Sequence, residues 1–262
     1  MIAEPHDVHR RIDGHLVVGG SSHDFDGARL DLLALAARDD RLRIRVSSTF
    51  EEVADGSGVA PPTFLLSYSC NLAPSAQALA RIAAFLAGGG RWVALHATNA
   101  LIRWLPEGVV CEDLDNPFLA LIGSAFQAHP PIGPFQVRAV HDHPLVAGVA
   151  PFMVTDELYL GETAPDAEVL LATDFLGQAP GFLRCDWTGD DPVRPLMTLR
   201  RVGEGAVLHL ALGHRRGHYD APHRAPYLSA VERGAWDSEA FQRLLARALA
   251  WAARTDRELE AA

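Results

Sequence analysis

Cysteine is scarce in this 262-residue chain: there are three, Cys70, Cys111 and Cys185, widely spaced and with no C-x-x-C pair. Neither a disulfide framework nor a cysteine-rich zinc site is indicated, and reduced thiols are the simplest expectation. Positive charge is also in short supply. Lys plus Arg number 23 against 33 Asp plus Glu, for a net charge of -10. General nucleic-acid binding needs a basic face, so this balance argues against it. No apolar run is long enough to span a bilayer. Residues 1–14 are polar and lack the apolar core of a signal peptide, so a cytoplasmic protein is expected.

Several signatures are missing too. No G-x-G-x-x-G follows the first strand, so no nucleotide cofactor is expected. "GGSSHDF" (Gly19 to Phe25) lacks the lysine of a phosphate-cradling loop, and no H-E-x-x-H zinc helix occurs.

What is present is an alternation of strand and helix. "HLVVGG" (His15 to Gly20), "LRIRVSS", "TFLLSYS" (Thr63 to Ser69) and "RWVALHA" read as buried strands. "FDGARLDLLALAARDD" reads as a helix with Leu30, Leu33, Ala34 and Ala37 on one face; "SAQALARIAAFLAGGG" reads as another, with Leu79, Ile82, Ala83 and Leu86. Nearly all-apolar strands alternating with helices imply a parallel sheet covered on both faces. The second half brings strand-like pieces with little helix: "GPFQVRAV", "DELYLGE", "EVLLATDF" and a hairpin turning at Val202 to Gly205. A last helix spans about Ser238 to Ala253. The expected organisation is an N-terminal tail (1–14), one domain (15–253) and a C-terminal tail (254–262). The loop from Gly213 to Tyr227 is long and rich in His, Arg and Pro, as functional covers often are.

In an open parallel sheet ligands bind beyond the carboxyl ends of the strands. The polar residues just past those ends are His23 and Asp24, then Ser69, Cys70 and Asn71, then His96, Thr98 and Asn99, and last His214. His96 stands where a nucleophile elbow presents its serine or cysteine. An imidazole there serves as general base or metal ligand, or is merely held by a neighbouring loop. His129 is a second imidazole at the site or polar punctuation before two prolines. His209, inside a strand, reads as core, and His141 and His143 read as turn residues. Asp156 and Glu157 should diverge to opposite faces of a strand, one reaching the site and the other meeting solvent. Cys70 has no activating base assignable from sequence.

The ordered set "GGSSHDF", "GGGRWVALHATN", "LIGSAFQAHP", "HDHPLVAGVAPFMVTDELY" and "VGEGAVLHLALGH", spanning roughly residues 15 to 252, resembles the trehalose-utilisation, or ThuA-like, family. That resemblance implies an α/β fold like that of class I glutamine amidotransferases: a flavodoxin-like parallel sheet with flanking helices, here with extra antiparallel strands in the second half. It also implies a role in the use of disaccharides such as trehalose, keto-sugar derivatives included. The matching positions are His23, His96, Asn99, Gly123, Phe126, His129, His143, Asp156, Glu157, Tyr159 and His214. Asn99 stands where the family often has an acid, and Ser124 where it often has a second glycine.

On these grounds the expected catalytic residues are His96, His214 and Glu157, with His23, Asn99, Phe126, His129, Asp156 and Tyr159 around the substrate. His96, His129 and His214 are the expected ligands of any divalent metal such as zinc. The expected activity is isomerisation, lysis or hydrolysis of a sugar by acid–base or metal-assisted chemistry, without a cysteine nucleophile. The expected partners are a small carbohydrate and a second copy of the chain, not nucleic acid or membrane. Two alternatives stand beside this. One is a non-catalytic module binding a sugar or a partner protein, with Trp104, Trp187, Tyr219 and Trp236 as stacking surfaces; the other is a thiol-dependent amide hydrolase using Cys70.

Overall fold

The apolar runs of the first half become the middle of a nine-stranded sheet. A computed structural model describes residues 11–55, 61–217, 220, 231–256 and 259. In chain order the elements are β1 (Ile12–Gly20), α1 (Phe25–Ala36), β2 (Leu42–Ser47), β3 (Phe64–Cys70), α2 (Ala76–Ala87) and β4 (Arg91–Leu95). There follow β5 (Ile102–Leu105), β6 (Gly108–Cys111), α3 (Pro117–Ile122), β7 (Ser124–Ala128), β8 (Gly133–Ala139), β9 (Phe152–Asp156) and β10 (Leu160–Thr163). The last are β11 (Glu168–Asp174), β12 (Val193–Val202), β13 (Gly205–Leu210) and α4 (Glu239–Ala253).

The sheet order is β2-β1-β3-β4-β13-β12-β11-β8-β9. The first five strands are parallel, and β12, β11, β8 and β9 extend them antiparallel. The carboxyl ends of β1, β3, β4 and β13 therefore open on one edge, with β1 and β3 flanking the point where strand order reverses. Small antiparallel pairs, β5 with β6 and β7 with β10, stand beside this edge.

Alternate strand residues feed two cores, as a pleat of period two requires. Leu16, Val18, Leu66, Val93, Leu95 and Leu208 face the layer containing α1 and α4. Val17, Leu65, Trp92, Ala94 and Val207 face α2 and α3. Both faces being covered, the parallel strands can be apolar throughout. Serines cap α2 and α4, Ser75 and Ser238 each accepting a backbone N–H of the first turn.

Some sequence expectations need correction. α1 ends at Ala36 and buries Ala28, Leu32, Leu35 and Ala36, whereas Leu30 is 66% exposed. Leucines occur almost all round this helix, so two stripes fitted the spacing equally well and the sheet selected the other one. β1 begins at Ile12, inside the expected N-terminal tail, because it pairs with β2 from Leu42 onward. Leu259, in the expected C-terminal tail, is buried against the main core. The piece "DELYLGE" is not one strand: β9 stops at Asp156 and β10 starts at Leu160. Among the described residues no helix is long and apolar enough to cross a membrane.

Candidate active site

Each strand end delivers its residue by a distinct local device. β1 ends at Gly20 with φ +114°, where a Cβ would strike the Cys70 carbonyl. Glycine alone lets the chain turn against β3 there and carry His23 inward. Asp24 then caps α1 by accepting the Gly27 N–H at 2.8 Å and receives Arg215 Nε at 2.8 Å, tying the first loop to the last. At the end of β4, His96 has φ +45° and opens a single 3₁₀ turn through Asn99. A left-handed non-glycine residue costs about 1–2 kcal/mol and persists only where its surroundings enforce it. His96 thus occupies a strained corner at a strand end, the kind of position where α/β-hydrolases present a nucleophile.

His96 Nδ1 lies 2.7 Å from the Ala211 carbonyl, which can only accept, so this nitrogen carries the hydrogen and Nε2 points into the cleft. His214 approaches from beyond β13, its Nε2 2.9 Å from Glu232 Oε2. His23 packs edge-on to both rings, at centroid distances of 5.0 Å and 5.3 Å. Glu157 sits among them. Its Oε2 is 3.4 Å from His96 Nε2 and 3.2 Å from His214 Nδ1, and its Oε1 is 3.2 Å from His129 Nε2. His23, His96, Glu157 and His214 are all buried, the most exposed at 6%.

Burial alone would raise the Glu157 pKa, but the charges of His129 and His214 opposite it hold it well below the carboxylate range. Burial alone would lower His214; Glu157 and Glu232 outweigh it and push the imidazole up to about 10. His23 is held well below its ordinary value by burial and by the neighbouring His96 and His214. The floor of the cleft therefore pairs an ionised carboxylate with a cationic imidazole.

Above it lies a cavity of about 160 Å³. Phe126 and Tyr159 form one wall, Tyr159 packing against His96 at 4.2 Å between centroids with the rings tilted by 31°. Phe182 and Trp104 line the mouth, where Trp104 is 51% exposed. His129 is half-buried there, its Nδ1 2.8 Å from the Pro130 carbonyl.

The remaining predicted residues fall elsewhere. Asp156 and Glu157 do not diverge to core and solvent, because β9 ends between them and both are buried. Asp156 was expected at the substrate; instead its carboxylate accepts the backbone N–H groups of Glu157, Gly213 and His214 at 2.7–3.0 Å. Asn99 was expected there too, but lines a separate small cavity and donates to Ser124 Oγ at 2.8 Å. His129 was expected among three metal-facing imidazoles; the compact group contains His23 in its place. His143 caps the turn at Leu145, away from the cleft. His209 is buried in β13, its Nε2 3.1 Å from the His96 carbonyl. Trp187 and Trp236, expected as stacking surfaces, are 1% and 3% exposed, their indole N–H groups spent on backbone carbonyls. Tyr219, with most of the loop from Gly213 to Tyr227, lies outside the described residues.

Sequence reasoning missed Glu232, Arg216 and Phe182. Arg216 pairs with Glu232 and lines the cleft. No periodicity marks such loop residues, and only the converging chain path brings them to the site.

The family profile ThuA, described as trehalose utilisation, matches residues 63–252. The chain belongs to the ThuA family. Among solved structures it is similar to a ThuA-like protein of Bacteroides uniformis, 14% identical with TM-score 0.66 over 98% of this chain and 97% of that one. A ThuA-like protein of Parabacteroides merdae is 16% identical, with TM-score 0.62 over 94% and 91% of the two chains. A β-galactosidase of Bacillus circulans sp. alkalophilus, 12% identical with TM-score 0.51, is matched over 92% of this chain but 30% of its own. That likeness is to one part of the galactosidase and concerns fold alone. No curated protein matches the sequence.

Proposed function

We propose that this ThuA-family protein is a carbohydrate-processing enzyme. It takes a trehalose-type disaccharide or its keto derivative into the cleft and moves protons on it through His96, His129 and His214 around Glu157. The substrate class comes from the family's description as trehalose utilisation. The observation that carries the chemistry is one buried carboxylate facing three imidazoles at 3.2–3.4 Å on a cleft floor. His96, with its tautomer set by Ala211, abstracts or returns a proton at the floor. His129, at the mouth, exchanges protons with solvent. Positioned acid–base catalysis of this kind contributes roughly 10²–10⁴-fold. The parallel order β2-β1-β3-β4-β13 supports a flavodoxin-like core of the class I amidotransferase type, with histidine at the nucleophile corner.

Amide hydrolysis by Cys70 fits poorly. Burial drives that thiol far up, and a nucleophile needs the opposite. A sugar-binding module without turnover is the second reading, favoured by the exposed Trp104 at the mouth. Purified protein assayed against trehalose-type disaccharides and their keto derivatives separates the two. Turnover that falls at least 100-fold in His96→Asn and His214→Gln supports the enzyme. Ligand-induced thermal shifts without turnover, surviving both substitutions together, support the module.

A further inference from the structure

The cleft floor holds more inward-facing acceptors than hydrogens to satisfy them. His96 Nδ1 is 2.7 Å from the Ala211 carbonyl, His214 Nε2 2.9 Å from the Glu232 carboxylate, and His23 Nδ1 3.4 Å from the Ser21 carbonyl. Those oxygens only accept, so each outer nitrogen bears a hydrogen, and in the neutral ring form each inner nitrogen turns a lone pair inward, His214 on giving up the proton it holds toward Glu157. Among the described residues His23 Nε2, His96 Nε2 and His214 Nδ1 are buried and lack a hydrogen-bond partner. Together with a Glu157 oxygen they form a set whose atoms lie within 4.8 Å of one another. These four donor atoms converge where water barely reaches, and an ion that displaces the His214 proton would satisfy all of them at once.

We propose that His23, His96, His214 and Glu157 bind one divalent transition-metal ion of the zinc type. This goes beyond the sugar reading and is tested apart from it; while the ion is bound His96 and His214 act as ligands, and of the three imidazoles only His129 is left to move protons. Imidazole nitrogen with a single carboxylate oxygen is a donor set suited to zinc and its neighbours. At bond lengths of ~2.1 Å, adjacent ligands of a tetrahedron stand ~3.4 Å apart. Glu157 Oε2 is 3.4 Å from His96 Nε2 and 3.2 Å from His214 Nδ1, so two edges already fit, while the set as a whole lies within 4.8 Å. The outer nitrogens are anchored as metal-bound histidines usually are, one on a carboxylate and two on backbone carbonyls. His129 lies on the other Glu157 oxygen, outside the four-ligand set.

The test uses the full chain after chelator treatment. Zinc is titrated by calorimetry, and cobalt is followed by its visible absorption. One ion per chain is expected, with the strong cobalt bands of low coordination. His23→Ala and Glu157→Gln should each weaken zinc binding by at least ~100-fold. His143→Ala, at the turn before Leu145 and away from the cleft, should leave the zinc affinity unchanged. Circular dichroism and melting check each variant's fold; if one does not fold, the wild-type stoichiometry and cobalt spectrum still decide. No stoichiometric binding by wild-type protein, or affinity unmoved by His23→Ala and Glu157→Gln, overturns the proposal. Stoichiometric zinc binding that these variants lose upholds the proposal whether or not sugar is turned over, and sugar turnover without zinc binding overturns it while leaving the enzyme reading standing.

Discussion

Asp156 holds His214 from behind the cleft: its Oδ1 accepts the His214 backbone N–H at 3.0 Å, and its Oδ2 accepts that of Gly213 at 2.7 Å. The same Oδ1 receives the Glu157 N–H at 2.9 Å. One fully buried carboxylate thus fixes the backbones of the two residues whose side chains meet in front of it. Asp156→Asn replaces an acceptor with a donor facing a backbone N–H, which costs about 1–3 kcal/mol. At roughly 2–4 °C per kcal/mol for a chain of this class, the melting point should drop by about 2–12 °C. Gly234→Ala should act in the same direction, since Gly234 has φ +48° and a Cβ would collide with Asp156 Oδ1 and the His214 carbonyl. Thermal melts check both, and an unchanged melting point in Asp156→Asn would remove the clamp.

The strained corner at His96 separates backbone from chemistry. Asparagine tolerates the left-handed region; valine, branched at Cβ, does not. With φ +45° at this position, His96→Val should be less stable than His96→Asn by about 1–2 kcal/mol. Turnover should fall roughly 10²–10⁴-fold in both. Calorimetry beside steady-state kinetics reads the two effects, and equal stabilities would show that the corner stores no strain.

Much of this site was readable from residue order because its parts follow strand ends. His23, His96 and His214 each come directly after an apolar run, and a parallel sheet gathers such positions on one edge. The fate of Asp156 and Glu157 was not readable. Alternation assumed an unbroken strand, and the break between β9 and β10 is set by the Gly213–His214 backbone, some 57 residues further on. Glu232 was illegible for a related reason. It orients His214 from a loop with no repeat, so only the path of the chain after β13 identifies it. Along α1 the composition itself was ambiguous, and packing against the sheet chose the buried stripe.

Trp104 offers a check on the carbohydrate reading that leaves the histidines intact. It lies on the β5–β6 hairpin and lines the cleft mouth with Phe182. On the proposed reading, an aromatic face there would stack on a sugar ring without touching the reacting atoms. Trp104→Ala should raise KM roughly tenfold, equivalent to ~1.4 kcal/mol of uniform binding, with kcat little changed. A fall in kcat at constant KM would place the tryptophan in the chemistry instead.

His15 gives a pH dependence far from the cleft. Its ring is 2% exposed and its Nε2 lies 2.8 Å from Ser47 Oγ, whose own hydroxyl donates to the Thr49 carbonyl. Burial first, and Arg45 second, lower its pKa to about 4, while Glu52 and Asp55 pull weakly the other way. An unfolded chain with an ordinary value near 6.5 therefore binds a proton that the folded chain refuses. The contribution to stability is complete above pH ~6.5 and is lost as the pH falls toward 4, at up to ~1.4 kcal/mol per pH unit. His15→Gln keeps a donor for Ser47 and cannot titrate, so urea midpoints at pH 7 and pH 5 isolate the effect. Wild-type protein should lose about 1–2 kcal/mol more than the variant between those values. His209, also held at about 4 by burial, is present in both proteins and cancels. Equal losses would mean that the His15 ring accepts its proton in the folded state.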